Sequence, residues 1–416
     1  MRALRILHVS DLHLGRGLGE LSREAEQRAV VAEIVETARE NVVALTVVSG
    51  DVFDAFNPPA WAEDLFFELL DGLAGGGRRA VAVIAGNHDS GLRLAAAEPL
   101  ARRLGIVLAG DAGDPIAGHE GPGVRVVPVA AGVARLEVPG EDAPVVIGLL
   151  PFLSEAKVAR EGPSDDLAAL ADDAARYTAR LEREIAARAA HQDPRALNLL
   201  ALHQFVVGGT PSDSERRLRL TAYGDLDAKA IPEGFHYVAC GHLHRPQTVV
   251  GAGSKAAYAG SPIAYSFSEA GQGKRAVLIE AEPGRAAKLS DVPLRAGRPL
   301  EVWVVRSIDE AREMAEEAKG RHPIVEIRAD LGRRLHAADG DALFAIAGLT
   351  VHAVRDEHAA TPAEIEAAAG GDGPEETRVE RLFRDLWVRK HEAEPDEATM
   401  AELSSALVEV TRSAGD

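Results

Sequence analysis

Residues 44–54 have the sequence Ala44-Leu45-Thr46-Val47-Val48-Ser49-Gly50-Asp51-Val52-Phe53-Asp54, in which a short apolar run ends in glycine and two carboxylates. Four other short apolar runs also end in polar, chemistry-bearing residues; they are residues 4–9, 80–85, 197–202 and 237–240. Runs of this length, rich in Val, Ile and Leu, are typical of buried strands in a sheet covered by helices. The sequence therefore predicts an α/β fold.

The residues that follow the five runs favour one metal site. They are Asp11-Leu12-His13, Gly50 to Asp54, Gly86-Asn87-His88-Asp89, His203, and Gly241-His242-Leu243-His244. Open α/β sheets bind ligands at the carboxyl ends of their strands, where these residues would converge. Imidazole, carboxylate and amide oxygen are ligands that hold a pair of divalent ions such as Mn²⁺. An Asp-x-His pair alone has little weight, whereas Gly-Asn-His is rare in a chain with four asparagines.

The order of these motifs resembles that of the calcineurin-like metallophosphoesterases. Longer strings narrow the resemblance to the SbcD family, the bacterial branch of the DNA double-strand-break repair nucleases. These strings are His8-Val9-Ser10-Asp11-Leu12-His13-Leu14-Gly15, Ala85-Gly86-Asn87-His88-Asp89-Ser90, Gly241-His242-Leu243-His244-Arg245-Pro246-Gln247, and Gly260-Ser261-Pro262 followed by Ser266-Phe267-Ser268. The resemblance covers about residues 3–280. It implies a four-layer α/β/β/α sandwich with a small α+β capping domain and a C-terminal helical hairpin.

The resemblance also implies two overlapping sets of ligands for two divalent ions, with Mn²⁺ as the expected metal. Asp51 belongs to both sets and would bridge the two ions. The first set is Asp11, His13, Asp51 and His244, and the second is Asp51, Asn87, His203 and His242.

Two further residues take catalytic roles by resemblance. His88 would contact the scissile phosphate and act as a general acid or transition-state stabiliser, because histidine titrates near neutral pH. Asp54 would orient His88, although archaeal and eukaryotic members of the family have histidine at its position. Arg16, Arg93 and Arg245 follow the motif loops and are candidate contacts for the DNA backbone.

Composition limits the cellular setting and the strength of nucleic-acid binding. The single Cys240 excludes an internal disulfide, and neither a signal peptide nor a membrane span is visible, so a cytoplasmic protein is expected. The net charge is −19, of which residues 356–416 carry −10 and residues 1–355 carry −9. DNA affinity depends largely on neutralising phosphates. We therefore expect the chain itself to bind DNA weakly and a partner protein to provide most of the DNA affinity.

Alternating strand and helix patterns extend over a predicted nuclease domain, residues 1–292. Its predicted helices are residues 22–40, with Ser22 as N-cap, 59–73, 90–104 and 165–190. Residues 109–144 are rich in Gly and Pro and favour a β-hairpin region.

A second pattern, over residues 298–356, predicts a compact α+β capping domain. Its strands are expected at residues 300–305, 324–327 and 349–354. Ser307 or Asp309 would cap a helix that ends before Gly320, and residues 341–346 form a candidate short helix.

The remaining residues predict a flexible linker, 357–374, and a pair of amphipathic helices, 375–413. The helices carry apolar stripes made by Leu382, Phe383, Leu386 and Trp387 and by Leu403 and Leu407. Two short helices bury little on each other alone. Either they dock on the body of the protein or, as in the resembled family, they bind the base of an SbcC-like coiled-coil ATPase.

The resulting hypothesis is a Mn²⁺-dependent nuclease with 3′→5′ exonuclease activity on duplex DNA and endonuclease activity at hairpins or single strands. A homodimer through residues 59–73 and 90–104 is expected from the resemblance. A small-molecule phosphodiesterase or a protein phosphatase of the same superfamily explains the metal motifs equally well, but leaves the residues after 290 unexplained. A non-catalytic scaffold is the third alternative, although no expected ligand is missing.

Overall fold

The computed structural model describes residues 3–153, 167–213 and 226–356, together with the isolated helical positions Arg384, Trp387 and Met400. The chain separates into two compact units. The first contains residues 1–301 and 321–324, and the second contains residues 302–320 and 325–416. The linker at 357–374 lies outside the described residues, as does the hairpin at 375–413 apart from those three positions. The domain boundaries proposed from the sequence stay predictions.

The described ranges contain sixteen strands and seven α-helices. The strands are β1 (Leu4–Val9), β2 (Leu45–Ser49), β3 (Ala80–Ile84), β4 (Ile106–Ala109), β5 (Arg125–Ala130), β6 (Val133–Glu137), β7 (Val145–Leu150), β8 (Leu197–His203), β9 (Tyr237–Gly241), β10 (Gln247–Thr248), β11 (Ala256–Tyr258), β12 (Arg275–Ala281), β13 (Lys288–Pro293), β14 (Leu300–Val305), β15 (Ile324–Ala329) and β16 (Thr350–Asp356). The helices are α1 (Glu24–Glu40), α2 (Ala60–Ala74), α3 (Gly91–Ala95), α4 (Glu98–Ala101), α5 (Leu167–Ala189), α6 (Ile308–Glu317) and α7 (Ala337–Phe344).

Two sheets form the centre of the first unit. The first sheet has the order β13-β12-β1-β2-β3-β4, and the second has the order β10-β11-β9-β8-β7-β6-β5. The pairs β1–β2, β2–β3 and β3–β4 are parallel, and so are β7–β8 and β8–β9. The carboxyl ends of β1, β2 and β3 therefore meet at one edge, and those of β8 and β9 meet at another.

Apolar packing arranges these elements in four layers. One core cluster joins the two sheets face to face, through residues such as Ile6, Val47, Leu199 and Ala239. A second cluster packs α1 and α2 on the outer face of the first sheet, and a third packs α5 on the outer face of the second. The central strands are apolar on both faces because each sheet is covered on both sides. The expected α/β/β/α sandwich is confirmed.

Most predicted helices are found close to their expected limits. α2 begins after Pro59 and ends at Gly75, which has a φ of 54° and adopts the left-handed conformation that favours glycine at this position. α1 begins at Glu24, and its N-cap position is Arg23 rather than the predicted Ser22. The Arg23 side chain is buried and pairs with Glu26.

The single helix predicted for residues 90–104 is wrong. The segment forms α3, α4 and a short 3-10 turn at Arg102–Leu104. Pro99 lies in the first turn of α4. Proline has no N–H to donate and its ring clashes with the carbonyl four residues earlier, so it begins a new helix rather than continuing the old one.

The predicted hairpin region contains β5 and β6, which pair antiparallel, as expected. In the second unit a three-stranded sheet has the order β14-β15-β16, with α6 and α7 packed on it through residues such as Ala311 and Leu343. Ser307 caps α6 by accepting a hydrogen bond from the Glu310 N–H at 3.0 Å. The second helix begins at Ala337, four residues before its predicted start. Among the described helices, none is long and apolar enough to cross a membrane.

Several charged side chains are buried within the first unit, and Arg188 is one of them. Arg188, near the end of α5, donates to the carbonyl oxygens of Leu149 at 2.7 Å and of Ala112 at 2.9 Å. It also pairs with Glu184 at 2.6 Å. Leu149 belongs to β7 of the second sheet and Ala112 lies in the loop after β4 of the first sheet, so this guanidinium links α5 to both.

Arg188→Met is expected to lower the free energy of unfolding by about 3 kcal/mol, because it leaves Oε2 of Glu184 and two carbonyl oxygens without their donor, while Arg180 still pairs with Oε1 of Glu184. Urea denaturation measures the change. Arg195→Met is the matched control, since the Arg195 side chain is 90% exposed. Equal unfolding curves for the two variants would contradict the role assigned to Arg188.

Candidate metal centre

All seven predicted ligands lie at the carboxyl ends of strands. Asp11 and His13 follow β1, Asp51 follows β2 and Asn87 follows β3. His203 ends β8, and His242 and His244 follow β9. Backbone hydrogen bonds extend the pairing of β1 and β2 into the loops, from Asp11 N–H to Gly50 O and from His13 N–H to Asp51 O. The seven side chains are buried, and the structure brings them together.

Four of the ligands hold the backbone in an unusual conformation. Asp11, His13, Asp51 and His242 have φ values of 54°, 43°, 49° and 109°. Residues with a Cβ avoid this region, at a cost of about 1–3 kcal/mol each. The rest of the fold therefore holds these side chains in place against a local preference.

Glycines before the ligands make room for them. A Cβ on Gly50 would lie 2.1 Å from Nδ1 of His203, and a Cβ on Gly86 would lie 2.1 Å from Oδ1 of Asp51. Neither distance is compatible with a side chain. The glycine in each of these motifs is thus required because a ligand from another strand packs against it.

The carboxylate of Asp51 stands between two groups of ligands. Its Oδ2 lies 3.5 Å from Nε2 of His13 and 3.4 Å from Nε2 of His203. Its Oδ1 accepts a hydrogen bond from the backbone N–H of His88 at 2.9 Å, which fixes the orientation of the carboxylate. One oxygen atom is therefore within reach of both groups.

The first group contains Asp11, His13 and His244, whose ligand atoms all lie within 4.8 Å of one another. The Nε2 atoms of His13 and His244 are 2.9 Å apart. Asp11 accepts the backbone N–H of His242 on Oδ1 at 3.0 Å. Its buried Oδ2 has no hydrogen-bond partner among the residues that the structure describes. An unpaired carboxylate oxygen and two converging imidazoles together form a suitable binding site for a cation.

The second group contains Asp51, His203 and His242, with Asn87 between the two histidines. Oδ1 of Asn87 lies 3.1 Å from Nε2 of His203 and 2.9 Å from Nδ1 of His242. Nδ1 of His203 donates to the carbonyl oxygen of Ser49 at 2.8 Å. This hydrogen bond fixes the tautomer and leaves the lone pair on Nε2, the atom that faces Asp51.

Electrostatics at the centre favour a bound cation. Burial lowers the pKa of His13 to about 4 and the pKa of His242 to about 3, so both imidazoles are neutral at pH 7. Burial raises the pKa of Asp11 to about 6. Burial opposes protonation of His203, but the Asp51 carboxylate outweighs it and raises the pKa of His203 to about 9. A divalent cation would replace that proton as the partner of Asp51. The residues present fit two such ions.

His88 lies beside the two groups. Its Nδ1 donates to the backbone oxygen of Asp54 at 2.8 Å, and its ring stands edge-on to His13 with centroids 4.8 Å apart. Nε2 of His88 is buried and has no hydrogen-bond partner in the described part of the chain. Asp89 accepts backbone N–H groups of Gly86, Val52 and Phe53, and so shapes the loop.

The Asp54 carboxylate lies closer to His13 than to His88. Oδ1 is 3.3 Å from Nδ1 of His13, 3.4 Å from Nη1 of Arg16 and 3.9 Å from Nδ1 of His88. The sequence suggested that this carboxylate orients His88, whereas in the structure the backbone oxygen of the same residue accepts the His88 N–H. The carboxylate instead stands behind His13.

The other proposed contact residues differ in their surroundings. Arg16 pairs with Asp54, and its Cζ lies 5.4 Å from the centroid of the Tyr265 ring. Arg93 donates hydrogen bonds to Glu63 and Asn57. Arg245 is exposed. Of the residues proposed for partner binding, Trp387 is helical and half-buried. Leu382, Phe383, Leu386, Leu403 and Leu407 lie outside the described residues.

The sequence did not point to Glu269, a buried carboxylate whose Oε1 lies 3.4 Å from Nδ1 of His244. Tyr265 was also missed; its ring lies 5.5 Å from that of His13, measured between centroids. Both residues adjoin the Ser266-Phe267-Ser268 string, which is the one local signal that could have found them.

Comparisons with known proteins agree with this geometry. The family model of the calcineurin-like phosphoesterases matches residues 4–246. The D subunit of the nuclease SbcCD from Bacillus subtilis is 35% identical over 336 residues, which cover 80% of each chain. The protein of the same name from Rhodobacter capsulatus is 31% identical, over 79% of this chain and 76% of the relative. The one from Escherichia coli is 28% identical, over 76% of each chain. The chain therefore belongs to the calcineurin-like phosphoesterases and, within them, to the D subunits of SbcCD nucleases, and it is a phosphodiester hydrolase.

Proposed function

We propose that the protein is a DNA nuclease that uses two divalent ions, with Mn²⁺ as the expected metal. It removes nucleotides from duplex ends in the 3′→5′ direction and cuts hairpins or single-stranded regions. The observation that carries this proposal is the position of Asp51 Oδ2, between His13 and His203. The relatives at 35% and 31% identity are named as nucleases, which favours DNA over other phosphoesters.

Asp11, His13, Asp51 and His244 would hold one ion, and Asp51, Asn87, His203 and His242 the other. A pair of divalent ions supplies an acidified water and neutralises charge on the transferred phosphoryl group. Asn87 is a neutral ligand and leaves more positive charge on its ion than a carboxylate would.

His88 supplies the proton-transfer group of the proposed reaction. Its Nδ1–H is held by the backbone oxygen of Asp54, so the unpartnered Nε2 is the atom left to face a substrate. As an imidazolium, with a second proton on Nε2, a histidine in this position would protonate the leaving 3′ oxygen or donate a hydrogen bond to the phosphate. Arg16, Arg93 and Arg245 are proposed to contact the DNA backbone around this centre.

A partner and a second copy complete the proposed enzyme. The relatives are named as subunits of SbcCD, so an SbcC-like coiled-coil ATPase is the proposed partner, bound through residues 375–413. A homodimer would use the face of α2, α3 and α4. Three large apolar side chains are exposed there: Phe67 at 50%, Leu92 at 91% and Leu100 at 72%.

A small-molecule phosphodiesterase or a phosphatase remains the competing function, because the two ligand groups suit any phosphoester. A comparison of rates separates them. With Mn²⁺, the purified protein should degrade an end-labelled duplex or hairpin faster than it hydrolyses cyclic nucleotides or phosphoproteins. The reverse order would contradict the nuclease proposal.

His88→Ala is expected to slow Mn²⁺-dependent cleavage of a labelled hairpin by about 10²–10⁴-fold, because it removes the proton donor. Bound Mn²⁺ and the melting temperature should stay close to those of the unchanged protein. His191→Ala is the matched control, an exposed histidine that follows α5. Loss of bound Mn²⁺ in His88→Ala would make His88 a ligand rather than a proton donor.

Asp51→Asn is expected to reduce the number of bound Mn²⁺ ions and to abolish the rise in melting temperature that Mn²⁺ causes in the unchanged protein. Binding to the folded state alone stabilises it by mass action, and this variant lacks the bridging charge. Equilibrium dialysis and thermal melting with and without Mn²⁺ measure both effects. Asp64→Asn, at an exposed position of α2, controls for loss of a carboxylate. Two retained Mn²⁺ ions in Asp51→Asn would argue against the bridge.

Deletion of residues 375–416 is expected to abolish binding of the ATPase subunit while Mn²⁺-dependent cleavage by the isolated chain persists. Co-purification of the two subunits and a hairpin-cleavage assay measure the two properties. If the deletion instead lowers the melting temperature of the isolated chain and leaves partner binding intact, these residues dock on the body of the protein.

A further inference from the structure

A buried ion pair, Glu269 and Lys274, contacts both the ring and the backbone of His244. Glu269 is fully buried, and its Oε1 lies 3.4 Å from Nδ1 of His244 while accepting the backbone N–H of Tyr265 at 3.1 Å. Its Oε2 accepts the hydroxyl of Ser261 at 3.0 Å and pairs with Nζ of Lys274. Nζ of Lys274 also donates to the backbone oxygen of His244 at 3.2 Å. The pair thus holds both the ring and the backbone of this ligand.

Such a pair is costly to bury. The Lys274 side chain is 8% exposed and the Glu269 side chain is not exposed at all. Removing two charges from water costs several kcal/mol per ion, and apolar residues of similar volume often stabilise a fold equally well. The location of the pair, in direct contact with a proposed cation ligand, supplies a reason for its presence that stability alone does not.

The pair determines which nitrogen of His244 faces the cation. With Nδ1–H donating to Glu269, the lone pair is left on Nε2, the atom 2.9 Å from Nε2 of His13. Oδ1 of Asp54 lies 3.3 Å from Nδ1 of His13, close enough for a charge interaction, although the two atoms do not form a hydrogen bond. Each imidazole of the first group therefore has a carboxylate beside its Nδ1, and the hydrogen bond to Glu269 also fixes the His244 ring and strengthens it as a ligand.

Among the residues that the structure describes, no carboxylate backs the imidazoles of the second group in this way. Nδ1 of His203 donates to the neutral carbonyl of Ser49, and the second ligand, Asn87, carries no charge. Asp11 belongs to the first group alone, although its charge also acts on His203, whereas the carboxylate of the second group is Asp51, which lies near both groups. The two groups therefore place unequal negative charge around their cations, although each offers two imidazoles.

We propose that Glu269, held by Lys274, is a positioning residue for His244, and that it makes the first group bind its cation more tightly than the second. The inference rests on the proposed two-cation site. It predicts stepwise filling, with the Asp11–His13–His244 position occupied first as Mn²⁺ is added.

The test is a titration of the whole chain with MnCl₂ in the absence of nucleic acid, with free Mn²⁺ measured by electron paramagnetic resonance. The unchanged protein is expected to show one tighter and one weaker site. Glu269→Gln should weaken the tighter site by about 10–100-fold, because an amide oxygen backs His244 without the negative charge. The weaker site should be affected less.

Two further variants separate positioning from folding. Glu269→Gln combined with Lys274→Met removes both charges, so no buried cation is stranded, and it should remain folded while the tighter site is still weakened. Glu326→Gln is the control. It removes a buried carboxylate that pairs with Arg328 and Arg355 in the second unit, and it should leave both sites unchanged.

Several outcomes would overturn the inference. Two equal sites in the unchanged protein would remove the asymmetry, and an unaltered tighter site in both Glu269 variants would reduce Glu269 to a structural residue. Equal weakening of both sites would show a general loss of structure. The titration contains no substrate, so its result does not depend on whether the protein is a nuclease. Equal Mn²⁺ sites would contradict the role of Glu269 without contradicting the nuclease proposal, which the cleavage assays test.

Discussion

The structure depends on one oxygen atom reaching imidazoles that belong to different sheets. Oδ2 of Asp51 lies 3.5 Å from His13, which follows β1 of the first sheet, and 3.4 Å from His203, which ends β8 of the second. The packing of the two sheets against each other therefore sets the spacing of the site. This explains why residue 50 is a glycine, since a Cβ there would meet His203 of the other sheet.

Polar links between the sheets maintain that spacing. The buried ring of His8 contacts the hydroxyl of Tyr237 at 2.9 Å and the hydroxyl of Ser49 at 2.7 Å, and so joins strands of both sheets. The carbonyl of the same Ser49 orients His203. Burial lowers the pKa of His8 to about 3, so this link is a neutral hydrogen-bond chain rather than an ion pair. The apolar core around this link offsets the free-energy cost of the strained loops.

The proposed cations and the acidic chain fit together. Residues 1–355 carry a net charge of −9, and two divalent ions at the centre would reduce it by four. The gain in positive potential is local and lies where a phosphodiester would bind. Elsewhere the surface would repel DNA, which is consistent with a proposed enzyme that holds its substrate mainly through a partner.

The sequence alone determined the strand-ending motifs, because apolar runs followed by Asp, His and Asn are local patterns, and its resemblance to a known family led to the seven proposed ligands. It also indicated α2, the hairpin of β5 and β6, and the layout of the second unit. Tertiary structure decided what local patterns do not contain. Glu269 backs His244 across the fold, the Asp54 carboxylate lies nearer to His13 than to His88, and Arg188 is buried against carbonyl oxygens of Leu149 and Ala112. These contacts join residues distant in sequence, so only the packing of sheets and helices brings them together.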